Sequence, residues 1–420
     1  MRIRSAAVAA VAVMGLGLVA CSSPAAEESN SQVLTVTAVT NEKPALDVVV
    51  PMFEKANPGI TVKVETSALD QYQPAIRTQL SSGTAPDVIG VWPGSGNPAA
   101  MQTLVPGGFL ADLSDIDRVD EFPEGVKSVS QIDGKTYVAP IAFSGIGPIY
   151  NMTAMTEAGF SVPTTWSELK QFCTDATAQT GKPAFYLGAQ TNWNTQLITY
   201  ALLPTLVYGP NPEFAQEMSD GKQTFAGSGW QQAMDQYMEL VDHGCFQADP
   251  LGVSYEASVT ALAQGDTFGA TFVTSGFAAL RAEAPEGTEF SMEALPATDS
   301  AEDTRMPGAA GSTWAINAKA KNPELAKKFL QFLMSEEGMN AYAEANGTLP
   351  AIPSGELSDP ALETLQRFQS ENKTDPWMDQ LWPNARVQAT HFEAVQNMLS
   401  GAATAEEGLK AMDAAYAQGE

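Results

Sequence analysis

Cysteine, histidine and positive charge are all scarce in this chain, and each shortage removes a class of function. Three Cys and two His in 420 residues leave too few soft ligands for a structural zinc site, so no metal and no cofactor are expected. Lys and Arg number 22 against 49 Asp and Glu, a formal net charge of -27. No basic run occurs after the first few residues. Binding nucleic acid requires clustered Lys and Arg to neutralise phosphates, so a nucleic-acid partner is not expected. Signatures of catalysis are missing as well. There is no Gly-x-Ser-x-Gly elbow, no phosphate-cradling loop ending in Gly-Lys-Ser/Thr and no His-Glu-x-x-His, which argues against an enzyme. Long apolar runs are confined to one stretch, Ala6 to Val19, shorter than the roughly 20 residues that span a bilayer.

That stretch follows Arg2 and Arg4 and ends in Leu18-Val19-Ala20-Cys21. A basic start, a short apolar segment and small residues before a cleavage point describe an export signal over residues 1–20. The ending resembles bacterial lipoboxes, which implies cleavage before Cys21 and lipidation of its sulfur. Several palmitate-type acyl chains, each contributing about 0.8 kcal/mol per buried CH₂, would hold the chain on the outer face of the cell membrane. Residues 21–32, small and polar, read as a flexible tether. Losing Arg2 and Arg4 with the leader makes the net charge more negative by two. Cys173 and Cys245 remain, and two thiols in an exported chain are expected to pair, the alternative being two separate buried thiols.

A chain of 420 residues, 44% hydrophobic, exceeds the roughly 250–300 residues that one core supports, so two lobes are expected. From Val33, VLTVTAVT alternates like a strand and KPALDVVVPMFEKAN has helical spacing. ITVKVET again reads as a strand, DQYQPAIRTQLSS as a helix and DVIGVW as a buried strand. This β-α-β-α-β order demands right-handed crossovers and a mainly parallel sheet, the start of a doubly wound lobe. TYVAPIAFSGIGPIYN is strand-like but interrupted by Gly and Pro. Helices then dominate from Trp166 to about Leu280, at Thr195–Leu206, Gly229–Asp242 and Ser254–Gln264 among others. Thr165-Trp166-Ser167-Glu168 has the form of a capping box. Strand periodicity returns in TFGATFVTS, EFSMEALP and STWAIN, followed by an amphipathic helix over Pro323–Met334 and a helical remainder.

Ligands of open parallel sheets lie beyond the carboxyl ends of the strands. That rule points to Asn41 and Glu42 after the first strand, to Trp92 and its neighbours after the third, and to Phe143 and Ser144 in the interrupted middle. Amide, carboxylate and flat aromatic groups together suit a sugar, whose ring has hydroxyls on its edge and C–H groups on its faces. Trp193, set between two Asn, joins them. So do Trp314 after a glycine turn, Phe277 at a strand-to-helix turn and Phe392 on a late helix. Trp166, Trp230, Trp377 and Trp382 read as packing residues, although Trp382 could line a cleft. Asp112, Asp115, Asp117 and Asp120 suggest a calcium loop but lack its Gly, and read as a solvated acidic turn.

The strings FEKANPGITVKVE, GTAPDVIGVW, DGKTYVAPIAFSGIGPIYN, VPTTWSELK, GSTWAINAKAKNPELAKKFLQFLMSEEG, GTLPAIPS and MLSGAATAEEGL, in this order, resemble the family 1 extracellular solute-binding proteins of ABC importers, the group of maltose-binding protein. The resemblance covers essentially the whole mature chain. It implies two doubly wound α/β lobes joined by crossing strands: lobe I at 33–144 and 313–350, lobe II at 145–312 and 351–420. It also implies a monomer that grips a small carbohydrate between the lobes and presents it to ABC permease subunits. Asn41, Glu42, Trp92 and Ser144 resemble the family's polar and first-lobe contacts, and Trp193, Phe277 and Phe392 its second-lobe aromatic platforms. Relatives that bind maltodextrins carry an acidic residue in place of Ser144 and Trp in place of Phe277 and Phe392. A neutral sugar or oligosaccharide is expected, with these departures counting against a maltodextrin. The competing readings are a polyol or peptide ligand, or a secreted carbohydrate-active enzyme using Glu42 and Asp70.

Overall fold

A computed structural model describes residues 32–122, 124–311, 313–353 and 359–418. The expected leader, Cys21 and nearly all of the tether lie outside the described residues. The first sheet is built as the alternation predicts: β1 (Gln32–Val39), α1 (Lys43–Ala56), β2 (Ile60–Ser67), α2 (Leu69–Ser82) and β3 (Val88–Val91). β1 lies in the middle, parallel to β2 on one side and β3 on the other. A strand from far along the chain, Thr313–Ile316, closes the sheet antiparallel to β3, with Trp314 opposite Gly90. α1 turns Leu46, Val49, Val50 and Phe53 inward. Phe53 meets Phe329 of the helix Pro323–Met334 edge to face, centroids 5.1 Å apart, a geometry that the ring quadrupoles favour. The late segment therefore returns to complete the first lobe's core.

The second sheet surrounds one long strand, Ala142–Asn151, buried at every position. Its direct neighbours all run antiparallel to it: Gly269–Val273, Phe290–Met292, Met306–Ala310 and Leu349–Pro350. Thr374–Asp375 adds to the edge, parallel to Met306–Ala310. In the strand, Gly147 admits a neighbouring chain that no side chain would allow: a Cβ there would sit 2.3 Å from the Glu293 carbonyl oxygen.

Helices wrap this sheet, and the buried set running from Ile146 through Leu169, Trp230 and Tyr237 to Leu409 is the second lobe's main core. Cys173 in the helix Trp166–Thr180 is disulfide-bonded to Cys245 beyond the helix Gly229–Asp242. Thr165 caps the first of these helices by accepting from the Glu168 amide at 3.2 Å. The reciprocal half of the expected box is displaced by one residue: the Glu168 carboxylate takes the amide and the hydroxyl of Thr164, both at 2.9 Å. Trp166 is buried and donates its indole N–H to Glu239 at 3.2 Å. The helix read at Thr195–Leu206 ends at Leu203 and continues as a wider π turn over Pro204–Tyr208, since Pro204 cannot supply the next helical amide. The expected helical remainder is interrupted by the short strands at 349–350 and 374–375, which the hinge and the second sheet capture.

Three chain crossings link the lobes and lie side by side. Phe143 pairs with Leu349 on one flank and Ala310 on the other, so the strands starting at 142, ending at 310 and spanning 349–350 form one narrow ribbon.

Candidate functional site

The turn after β1 separates two neighbours that the sequence grouped together. Asn41 is exposed, whereas Glu42 is 7% exposed and held by the helix Glu336–Asn346. The Tyr342 hydroxyl donates to its carboxylate, and Asn346 Nδ2 donates to the same oxygen at 3.0 Å. Burial pushes the Glu42 pKa up to about 7, although both hydrogen bonds pull the other way.

The loop after β3 reaches across to the second lobe. Trp92 is half-buried against Tyr72, with ring centroids 6.0 Å apart. Beyond it, Gly94-Ser95-Gly96 meets the turn Asp379–Trp382. A Cβ on Gly94 would lie 2.2 Å from the Gln380 carbonyl oxygen, and one on Gly96 would lie 2.1 Å from that of Asp379. Ser95 Oγ donates to the Trp382 carbonyl. The two lobes thus meet backbone to backbone here, an approach that only glycine permits at these two positions.

On the second lobe, Asp379 accepts from Gln388 Nε2 at 3.1 Å, and its burial raises its pKa to about 6. Gln380 Nε2 donates to the Ala310 carbonyl at 2.8 Å, which ties the turn to the hinge ribbon. Ser144 is buried in that ribbon. A Cβ on Gly311 would stand 3.0 Å from its hydroxyl and 3.5 Å from the Trp377 ring. Thr274 donates its amide to Gly145 at 3.0 Å, and its carbonyl would be 3.4 Å from a Cβ on Gly347, the residue after Asn346.

The structure therefore places Trp92 just before the loop that meets the second lobe, Ser144 in the hinge ribbon, and Glu42 against the helix that ends at Asn346. Trp193 and Phe392 belong to the second lobe and are half-buried, Trp193 leaning on Tyr255 at 4.9 Å. Phe277 and Trp314 are placed differently from a cleft-lining expectation, at 0% and 1% exposure. Phe277 opens the helix Gly276–Glu283, packs into the apolar cluster of Phe272, Leu280 and Leu349 and is covered by Gly347. Trp314 points into the first lobe's core and meets Tyr342 edge to face. His391, beside Phe392, is fully buried and stacked on Tyr200 between Trp230 and Trp382; burial alone drives its pKa down to about 3, so it is neutral.

Sequence reasoning did not single out Thr274, Asn346, Asp379 and Gln380, whose contacts lie at the hinge ribbon and the turn facing Gly94–Gly96. The one available signal was a polar pair, Asp379-Gln380, between Trp377 and Trp382 in a proline-bounded stretch. The pair meets the loop Gly94–Gly96, and Ser95 reaches Trp382 across 287 residues of sequence, which no local pattern reveals.

Little here resembles a catalytic pair. Asp70 is exposed on α2 while Glu42 is enclosed. The acidic run is dispersed onto neighbours: Asp112 accepts from Ser114 and pairs with Lys135, Asp115 pairs with Lys327, and Asp117 accepts from Gln331. Among the described residues no group of three or more His, Cys, Asp and Glu side chains is arranged to hold a metal ion. No helix among them is long and apolar enough to cross a membrane.

Residues 49–366 match the family model described as bacterial extracellular solute-binding protein. The multiple sugar-binding protein of Streptococcus mutans is 24% identical over 87% of this chain and 86% of its own length. The maltodextrin-binding protein of Bacillus subtilis is 23% identical over 96% and 95%. Among solved structures, a raffinose complex of the solute-binding protein RafE superposes with a TM-score of 0.76 at 21% identity, covering 91% of this chain and 98% of that one. A chitin oligosaccharide binding protein superposes with a TM-score of 0.78 at 19% identity, covering 92% and 98%. With the family model matched over most of its length and a two-lobed α/β fold like those structures, this chain belongs to the bacterial extracellular solute-binding proteins.

Proposed function

We propose that this protein captures a neutral sugar or oligosaccharide between its lobes, outside the cell, and hands it to the permease of an ABC importer without making or breaking a bond. The observation that carries this reading is the junction itself. Closure brings Gly94–Gly96 onto Asp379–Gln380 and encloses polar groups from both lobes. A solute that touches both sides favours closure because only the closed form offers it both sets of contacts. The sugar class rests on relatives named for sugars, maltodextrin and diacetylchitobiose, and on the mixture of Trp, amide and carboxylate groups. We place lobe I at 33–144 and 313–350 and lobe II at 145–312 and 351–420, a division supported by separate main cores for the two, although Ala310, Ala351 and Ile352 at its edges pack into the first. The protein acts as a monomer held by lipid on Cys21, an assignment supported by the lipobox and by pneumococcal relatives described as lipoproteins.

Thermal-shift and calorimetric titration against mono-, di- and trisaccharides test the ligand class, because a solute held only by the folded protein raises its melting temperature. A rise with an amino acid or polyamine and with no sugar would reject it. Mass spectrometry of the membrane-bound protein should find acyl chains on an amino-terminal Cys21. An unacylated residue there would reject the anchor.

A further inference from the structure

Resting on the sugar-binding reading above, we propose that Thr274, Asn346, Trp377 and Gln380 are solute-binding residues, and that their surplus of acceptors selects sugars presenting hydroxyl or amine donors over anionic ones. Among the buried polar atoms that make no hydrogen bond, four lie near the hinge: Thr274 Oγ, Asn346 Oδ1, Trp377 Nε1 and Gln380 Oε1. Their residues are 0%, 2%, 8% and 2% exposed. Leaving such groups unmet inside a protein is costly, so a cluster of them marks a place where a partner is missing.

These residues cluster around the hinge. Thr274 is bonded to Gly145 and adjoins Gly347, Trp377 adjoins Gly311, and Gln380 is bonded to Ala310. They come from both sides of the junction: Asn346 belongs to the helix packed on α1, and the others belong to the second lobe.

Chemistry fixes which end of each amide is left over. Asn346 spends an N–H on the Glu42 carboxylate and Gln380 one on the Ala310 carbonyl. An amide nitrogen must face an acceptor, so the carbonyl oxygen is the unspent end in both. Two acceptors, one indole donor and one hydroxyl that can serve either way are left over. A sugar hydroxyl or ammonium can donate to both acceptors. A carboxylate or phosphate would face two carbonyl oxygens and the neighbouring Asp379 carboxylate, all of which repel it, and Trp377 and Thr274 alone would favour it.

Thr274→Val keeps the side-chain shape and removes only the hydroxyl. Titrations of wild type and variant with maltotriose, raffinose, chitobiose, xylotriose and digalacturonate test the assignment. Wild type is expected to bind at least one neutral sugar and not digalacturonate. Thr274→Val and, independently, Trp377→Phe should each weaken the neutral sugar by about five- to tenfold, the loss of one hydrogen bond, with an unchanged or higher melting temperature of the free protein. A merely structural role would instead lower the melting temperature and spare affinity. Sugar binding that both variants retain in full would overturn this inference and leave the sugar reading intact. Binding of digalacturonate alone would also overturn it. No response of wild type to any sugar would instead overturn the reading beneath it.

Discussion

Replacing Glu42→Gln should make the protein more stable at alkaline pH and leave it nearly unchanged in acid. Glu42 is enclosed by Tyr342 and Asn346, and burial raises its pKa from the ordinary 4.5 to about 7. A carboxyl whose pKa is higher in the folded than in the unfolded chain binds more protons when folded. Its ionisation therefore subtracts stability progressively as pH rises from about 4.5 through about 7, and the loss is complete above that. The span of about 2.5 pH units corresponds to roughly 3 kcal/mol. Gln keeps an acceptor for Tyr342 and Asn346 but cannot ionise. The stability difference between variant and wild type should thus grow by about 3 kcal/mol between pH 4.5 and pH 8, equivalent to about 4 °C in melting temperature for a chain of this size. Denaturant titrations at four pH values, with melting curves beside them, measure it. Asp379, raised to about 6 by burial, has the same sign and persists in the variant, so a shallower slope should remain. Parallel pH profiles for the two proteins, or a difference that shrinks toward pH 8, would refute the claim that Glu42 is buried at a cost.

Gly96→Ala places a methyl group 2.1 Å from the Asp379 carbonyl oxygen, so the closed junction should be blocked while each lobe folds normally. Small-angle X-ray scattering should give a larger radius of gyration than wild type, together with weaker solute binding; an unchanged radius and affinity would contradict the contact. Changing Cys173→Ala and Cys245→Ala together opens a loop of 72 residues and should cost up to about 4 kcal/mol on the chain-entropy estimate. Melting of the oxidised and reduced wild type beside the double variant checks this, and coincident curves would show that the bond adds nothing.

Much of the architecture is legible locally because local forces decide it. The alternation from Val33 to Trp92, the inward stripe Leu46, Val49, Phe53 and the capping Thr165 depend on near neighbours, and each emerges as read, with one shifted hydrogen bond at Glu168. What resists reading is decided by distant chain. Nothing near Phe277 announces that Gly347 will cover it, and the glycine turn before Trp314 says nothing of the Tyr342 ring that meets it. The antiparallel surroundings of Ala142–Asn151 likewise arise because strands from four later segments converge there. Glu42 lies beyond the end of β1, as the strand-end rule expects, whereas Ser144 lies inside the strand Ala142–Asn151. Asn346 and Gln380 sit on a helix end and in an irregular turn, where that rule says nothing.

The hinge ribbon also limits the kind of motion available. Three hydrogen-bonded chains side by side resist sliding and twisting but flex easily out of their common plane, like a leaf spring. Opening should therefore approximate a swing about a single axis. Any membrane protein that touches both halves would then read one coordinate, open or shut, whichever solute lies inside.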